Sequence, residues 1–399
     1  MTRKENRWLL AAPSLLYLLI TLEIVIMISP FALYFYSVYG PVLDFFHSSP
    51  LLAWSTEFFL PHMVFPDDGL ILALSYLQLL LPIGLLLFLS AAVPLYWGRF
   101  TGKGVVQGSF YAKIRHPQYL FLAISGLGLL LYWPRFVILI MYVTMLYVYY
   151  LLARNEEGRM TREAPGAYEE YLARTPMFLP GEPGGRLFRV LFGRIRPKAA
   201  GIAVSYVVAL ALAVGGAMLV RAYTVSVLPT VSAGDMTLLP VFPRPAAEVR
   251  ALWAQLADRP EVKESGANMV YILPSDFFLT ALVTDESRRF SYELDDHLAE
   301  AMEWHRYKFK GGLGKFFKIF FTFVTTLGTT DSGYDIERLV LVKVTDRKGK
   351  PVPAPDLFDL GLRRLPVLVM DLDAEEHRLL TSMRPQARHK WGTMPMPTF

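Results

Sequence analysis

The sequence contains no cysteine, and only 19% of its 399 residues are charged. The absence of cysteine excludes disulfide bonds, cysteine-bound metals and a cysteine nucleophile. Soluble proteins carry about 25% charged residues, so the low charge and the 53% hydrophobic content indicate an integral membrane protein. The net charge of +5 comes from basic residues concentrated in particular segments, which is typical of membrane topology signals and does not indicate a nucleic-acid ligand.

Long apolar segments predict the membrane-spanning helices, because a helix needs about 20 apolar residues to cross a bilayer. The candidates are residues 9–38, 70–96, 120–152 and 201–220. The third is too long for one crossing and contains Trp-Pro-Arg at 133–135, which predicts a helical hairpin with two short arms. We also expect a bend near Pro30 and an interruption near Gln78 and Pro82. The prediction is an α-helical integral membrane protein with about five transmembrane helices.

Basic residues predict the orientation of these spans. Lysine and arginine are frequent before residue 8, in 98–115 and in 154–198, whereas 39–69 contains neither and carries four acidic residues. The positive-inside rule therefore places the N-terminus and the basic segments in the cytoplasm. By alternation, the last span delivers the chain after Arg221 to the other side, so we expect an extracytoplasmic C-terminal domain.

The chain divides by composition into membrane and soluble parts. We predict a transmembrane domain at 1–223, with a core at 81–180 and a cytoplasmic segment at 154–200, then a linker at 224–239 and an α+β domain at 240–399. Within the last part the patterns predict helices at 246–256 and 292–307, and strands at 268–273, 277–283, 336–344 and 366–370.

Histidine and aspartate in the C-terminal part do not have a metal-binding spacing. His297 and His305 are far apart on a predicted helix, and Asp371, Asp373 and His377 lie close together without a ligand pattern. We interpret them as surface polar groups and expect no metal site.

Polar residues flank the predicted hairpin at one end. Residues 115–119, Arg-His-Pro-Gln-Tyr, begin the first arm, and Pro117 suits a first helical turn, where its missing N–H would be unpaired anyway. Glu156 and Glu157 end the second arm. Because the chain returns to the same side, we expect an imidazole, a phenol and two carboxylates to meet there. Carboxylates and aromatic faces attract a cation such as a sulfonium.

A longer motif extends this set in both directions. Tyr111 lies four residues before Arg115, and the glutamate pair is followed by Tyr168, Tyr171 and Pro180. Over 81–180 this ordered set resembles the isoprenylcysteine carboxyl methyltransferase and phospholipid methyltransferase superfamily of membrane enzymes. The resemblance implies a helical hairpin, S-adenosylmethionine as cofactor, and a lipid or lipophilic acceptor.

The resemblance also implies which residues form the site. The cofactor would be bound by Lys103, Gly104, Val105, Val106, Tyr111, His116, Pro117, Gln118, Tyr119 and Glu156. For the chemistry we expect Glu157, His116 or Tyr171 to receive a proton from an amine or hydroxyl acceptor, and Arg115 or Arg154 to bind an anionic headgroup. Glu23, inside the first span, is a candidate substrate contact or a partner of Gln78 or a tyrosine.

The expected function is methyl transfer from S-adenosylmethionine to a membrane-embedded or lipid-linked small molecule, with the methylated atom (N, O or S) left open. Departures from the family pattern count against a prenylcysteine substrate: Phe121 replaces a glycine, Leu152 an arginine, and Ala164-Pro165 a Phe-Gly pair. They favour the alternative, a non-catalytic membrane anchor or sensor with a degenerate methyltransferase fold and an outer interaction domain.

Overall fold

A computed structural model describes residues 3–37, 40–101, 108–163, 165–273, 336–373 and 378–385. The chain divides into two compact units. The first consists of Met1–Leu60 and Leu70–Ala222, and the second of Pro61–Gly69 and Tyr223–Phe399. The predicted elements at 277–283 and 292–307, together with His297, His305 and His377, lie outside the described residues.

The first unit is built from helices. In chain order they are α1 (Arg3–Tyr36), α2 (Gly40–Ser48), α3 (Gly69–Tyr76), α4 (Leu80–Phe100), α5 (Pro117–Tyr132), α6 (Phe136–Glu163), α7 (Ala167–Arg174), α8 (Pro183–Phe192) and α9 (Lys198–Val227). The interruption predicted near Gln78 is confirmed, because a 3₁₀ turn at Leu77–Leu79 separates α3 from α4. Pro82 lies in the first turn of α4, and α1 continues through Pro30 to Tyr36.

Three helical segments in the described part of the chain are long and apolar enough to cross a membrane. They are Gly69–Gly98, Phe136–Glu163 and Lys198–Val227. Two shorter apolar helices, Ile20–Phe35 and Pro117–Tyr132, accompany them. By length and composition this is a membrane-associated helical protein.

Helices α4 and α5 approach each other at two glycines. A Cβ atom added to Gly84 would collide with the backbone of Ser125, and one added to Gly128 would collide with the backbone of Leu81. Ser125 Oγ also donates a hydrogen bond of 3.0 Å to the Leu81 carbonyl. Small residues permit such backbone contact between apolar helices, where packing and interhelical hydrogen bonds supply the attraction.

The predicted hairpin is present as α5 and α6, and its turn is anchored by Arg135. The Arg135 guanidinium is buried, lies 3.7 Å from the centre of the Phe58 ring and donates to the Thr56 carbonyl at 2.6 Å. Backbone hydrogen bonds from Phe59 to Pro134 and from Phe136 to Glu57 complete the attachment. Burial of an arginine requires such partners, so the turn has one defined position against residues 56–59.

The second unit contains a six-stranded sheet whose strands follow chain order. The strands are β1 (Val231–Ala233), β2 (Met236–Pro240), β3 (Met269–Leu273), β4 (Ile336–Thr345), β5 (Arg363–Asp373) and β6 (Leu379–Met383). Among the strands that the structure describes, only β2 and β3 pair in parallel, and the chain between them forms α10 (Ala246–Ala254) and α11 (Pro260–Ser265). Apolar residues of the sheet and of these helices form its core, among them Leu238, Leu252, Val270, Leu341 and Met370.

The structure confirms the helix at 246–256 and the strands at 268–273, 336–344 and 366–370. Two predictions for this unit are wrong. Residues 224–239 are not a linker, because they contain β1 and most of β2, both paired within the sheet. Asp371 is not a surface group: it is fully buried and forms two 2.6 Å contacts with Arg338. The two face each other in the register of β4 and β5, so the buried charges neutralise each other.

Candidate active site

The open end of the hairpin brings together the polar residues that flank α5 and α6. Pro117 occupies the first turn of α5, and His116 precedes it as the N-cap residue. Glu156 and Glu157 lie near the end of α6. Because the two helices are antiparallel and joined by a short turn, the beginning of one lies beside the end of the other.

The carboxylates of Glu156 and Glu157 contact three side chains at the start of α5. Tyr119 donates a hydrogen bond of 2.5 Å to Glu156 Oε1, and Arg115 Nε donates one of 2.6 Å to Glu157 Oε1. His116 lies between them, with Nδ1 at 3.4 Å from Glu156 Oε2 and Nε2 at 3.4 Å from Glu157 Oε1. These five residues, all predicted from the sequence, form one connected cluster.

The members of the cluster differ in accessibility. The side chain of Glu156 is 35% exposed, that of Glu157 14% and that of His116 6%. Glu156 is therefore the carboxylate that a ligand can reach, whereas Glu157 is enclosed by its partners.

Aromatic rings stack beside the carboxylates. The Tyr119 ring stacks on Tyr149 with centroids 4.8 Å apart, and on His116 at 5.6 Å. Phe178 lies 6.0 Å from the His116 ring. Tyr149 and Phe178 were not predicted from the sequence. Tyr149 carried a usable signal, since it precedes Glu156 by about two turns on the same face of α6.

Arg115 holds a second chain segment against the cluster. Its Nη1 donates to the carbonyls of Leu172, at 3.1 Å, and Thr175, and its Nη2 lies 3.4 Å from Glu182 Oε1. With Nε on Glu157, all three guanidinium nitrogens contact acceptors in the chain. These contacts indicate a positioning role for Arg115, and its binding of an anionic headgroup stays a prediction.

Backbone contacts extend this attachment. The N–H groups of Arg115 and His116 donate to the carbonyls of Pro176 and Met177, at 3.0 and 3.1 Å. The Met177 N–H in turn donates to Glu182 Oε1 at 2.9 Å. The segment after α7 therefore forms one wall of the site and presents Phe178 to His116.

Tyr111 and Tyr171, from the longer motif, connect α7 to the residues that precede and begin α5. Tyr171 donates its hydroxyl proton to the Tyr111 carbonyl at 2.6 Å, and Tyr111 donates to Gln118 Oε1 at 3.3 Å. Gln118 is buried. Phe121, at a position where the resemblance implied a glycine, is also buried and packs edge-on against Phe110 at 5.0 Å. The Tyr171 hydroxyl thus uses its proton in a hydrogen bond that positions Tyr111.

Some predicted residues lie elsewhere. Arg154 contacts Tyr150 at 3.3 Å on an exposed face of α6 instead of the carboxylate cluster. Residues 103–106 lie outside the described residues. Glu23 forms an ion pair of 2.7 Å with Arg159. A contact of Glu23 with substrate, with Gln78 or with a tyrosine stays a prediction. Arg159 is one of many basic residues in 154–198, and nothing in the sequence marks it as the partner of Glu23.

Electrostatics favour a charged His116. Burial alone would lower the pKa of His116. The hydrogen bonds and the negative charges of Glu156 and Glu157 outweigh burial, so the pKa of His116 is raised from its ordinary value of 6.5. Burial, together with the charge of Glu157, raises the pKa of Tyr168 to about 12. With His116 protonated, two cations face two carboxylates; loss of its proton leaves the cluster with a net negative charge.

Comparisons of the chain with models of protein families, with curated proteins and with solved structures find no match.

Proposed function

We propose that this protein is an S-adenosylmethionine-dependent methyltransferase that acts on a membrane-embedded or lipid-linked small molecule. The observation that carries the proposal is the joining of His116, Tyr119 and the glutamate pair at one end of an apolar helical hairpin. The ordered motif at 111–180, with its resemblance to a superfamily of membrane methyltransferases, supports the same assignment.

The residues present fit the cofactor. A sulfonium is attracted by carboxylates, and here the partly exposed Glu156 is held by a hydrogen bond from Tyr119. Glu156, Tyr119 and His116 would hold it, with Tyr111, Pro117 and Gln118 behind them as the resemblance implies. When bound, S-adenosylmethionine supplies an electrophilic methyl group on a cationic sulfur.

The chain contributes mainly position and water exclusion, because in-line methyl displacement depends on holding the nucleophile close and aligned. A carboxylate acceptor needs no base. For an amine or hydroxyl acceptor, His116 would take up the proton only in its neutral form, which the two neighbouring carboxylates disfavour, and Glu157, held by Arg115, is the alternative. A bound cation nearby favours that neutral form of the imidazole.

We further propose that the site faces the cytoplasm and that the sheet unit lies across the membrane from it. The concentration of lysine and arginine in 98–115 and 154–198, and their absence from 39–69, support this orientation.

Calorimetric binding of S-adenosylhomocysteine to purified protein in detergent tests the function. We expect the wild type to bind, and the His116→Ala and Glu156→Ala variants to lose binding. Glu163→Gln is the matched control, because Glu163 is an exposed carboxylate on the same helix, with its side chain 60% accessible. Normal binding by both alanine variants would refute the site.

Failure of the correctly folded wild type to bind would instead favour a non-catalytic anchor. Phe121, packed against Phe110 where the family has glycine, is the feature that favours this second reading. Size-exclusion profiles and thermal midpoints of each protein establish whether it is folded.

A further inference from the structure

Helix α8 carries an exposed apolar stripe. Leu187, Val190 and Leu191 are 60%, 80% and 58% exposed. Their spacing of three and four residues places them on one face of the helix. Large apolar side chains that stay exposed together on one face mark a surface that contacts something else.

A second face of α8 fixes the helix at the start of a membrane span. The rings of Phe188 and Phe192 lie 5.7 Å apart and are half-buried. A Cβ atom added to Gly201, in the first turn of α9, would lie 3.5 Å from the Phe188 ring. Because α9 is apolar and long enough to cross a bilayer, α8 is held where that span enters the membrane.

The charge of the segment has one sign. Residues 183–198 contain no aspartate or glutamate and five exposed basic residues, namely Arg186, Arg189, Arg194, Arg196 and Lys198. On a helical wheel Arg189 lies opposite the apolar stripe, and Arg186 borders it. An apolar face with basic residues around it is the pattern of a helix that lies in the interface of a bilayer with anionic lipids.

We propose that α8 binds the surface of an anionic membrane leaflet. Leu187, Val190 and Leu191 enter the region between headgroups and acyl chains, and the basic residues contact lipid phosphates. The occupant is a lipid surface and not another protein, because Phe188 of the same helix packs at the first turn of α9, which is apolar and long enough to cross a bilayer, and the basic residues match lipid headgroups. The inference does not depend on the proposed enzymatic function.

The absence of cysteine makes the test direct, since one introduced cysteine is the only labelling site. Full-length Val190→Cys protein carries an environment-sensitive fluorophore in nanodiscs of an equimolar mixture of phosphatidylcholine and phosphatidylglycerol. We expect blue-shifted emission and protection from acrylamide. Gly185→Cys is the control, because Gly185 is exposed on the opposite face and its substitution retains every arginine. Equal quenching of the two labels would overturn the proposal.

Reversal of charge tests the anionic component. Adding Arg186→Glu and Arg189→Glu to the labelled Val190→Cys protein should return the label to water, and discs of phosphatidylcholine alone should weaken its protection. Protection that is unchanged by both shows that lipid charge has no role. Protection that persists in detergent and grows with protein concentration identifies a second copy as the occupant and also overturns the proposal.

Discussion

Arg115 and Glu157 form an ion pair of 2.6 Å between residues separated by 42 positions in the chain. It joins the approach to α5 with the end of α6, and the same guanidinium reaches the carbonyls of Leu172 and Thr175. One side chain therefore links the two arms of the hairpin to the wall of the site. The candidate site therefore depends on this arginine.

Replacement of Arg115 by alanine should destabilise the protein substantially. It would leave Glu157, only 14% exposed, without its closest cation, and would remove donors from two carbonyls. Loss of one partner of a buried pair costs about 3 kcal/mol. We expect a lower thermal midpoint in detergent, and Arg115→Lys should recover only part of the loss because lysine lacks the planar fork.

Arg174→Ala provides the comparison for that variant. Arg174 pairs with Glu170 at 3.6 Å, and both side chains are mostly exposed. Such surface pairs contribute about 0–1 kcal/mol, so its midpoint should stay close to the wild-type value. Equal losses in the alanine variants at 115 and 174 would contradict the positioning role of Arg115.

Tyr119→Phe should reduce ligand affinity more than stability. Phenylalanine retains the ring that stacks on Tyr149 but loses the 2.5 Å hydrogen bond to Glu156. Without this bond the accessible carboxylate loses its fixed orientation. Loss of one hydrogen bond is worth about 1 kcal/mol, so we expect roughly five- to tenfold weaker binding of S-adenosylhomocysteine by calorimetry. Unchanged affinity would show that Tyr119 does not orient Glu156.

Stability should fall as the pH rises above the ordinary histidine range. Burial opposes charging of His116, but Glu156 and Glu157 prevail, so its pKa is higher in the folded than in the unfolded chain. A raised pKa contributes stability that is fully present below about pH 6.5 and is lost as the pH rises through the folded value. Thermal midpoints across this window should therefore decline more in the wild type than in His116→Gln. Parallel pH curves for both proteins would exclude His116 as the titrating group.

Gly128→Ala should destabilise the contact between α4 and α5. The added methyl group would meet the Leu81 backbone, which cannot move aside as a side chain can. Overpacking costs about 1–3 kcal/mol, and a backbone collision belongs at the upper end. Gly216→Ala is the control, since no atom lies within 4 Å of its added Cβ. If the Gly128→Ala protein were as thermostable as the control, the close contact between α4 and α5 would not contribute to stability.

Sequence periodicity and turn chemistry predicted most of the elements. The hairpin followed from an apolar run longer than one crossing with Trp133-Pro134-Arg135 inside it, and the meeting of His116 with Glu156 followed from the antiparallel return. The part played by Arg115 could not be predicted, because two of its partners are backbone carbonyls, which every residue possesses. Their use depends on where the chain after α7 lies.

Charge pairs across distant segments also escaped prediction. Arg338 and Asp371 each look like an isolated polar residue in an apolar strand, and only the register of β4 against β5 places them opposite each other. The pairing of Glu23 with Arg159 likewise joins residues 136 positions apart. Such contacts depend on tertiary arrangement, for which a single sequence carries no local signal.

The attachment of residues 172–182 to Arg115 has a consequence for synthesis. A nascent chain that ends before Leu172 already carries the Arg-His-Pro-Gln-Tyr motif and both glutamates, yet it lacks the carbonyls and the carboxylate of Glu182 that Arg115 needs. The wall of the site is therefore completed only after the ribosome has passed α7, when both arms of the hairpin have already been synthesised.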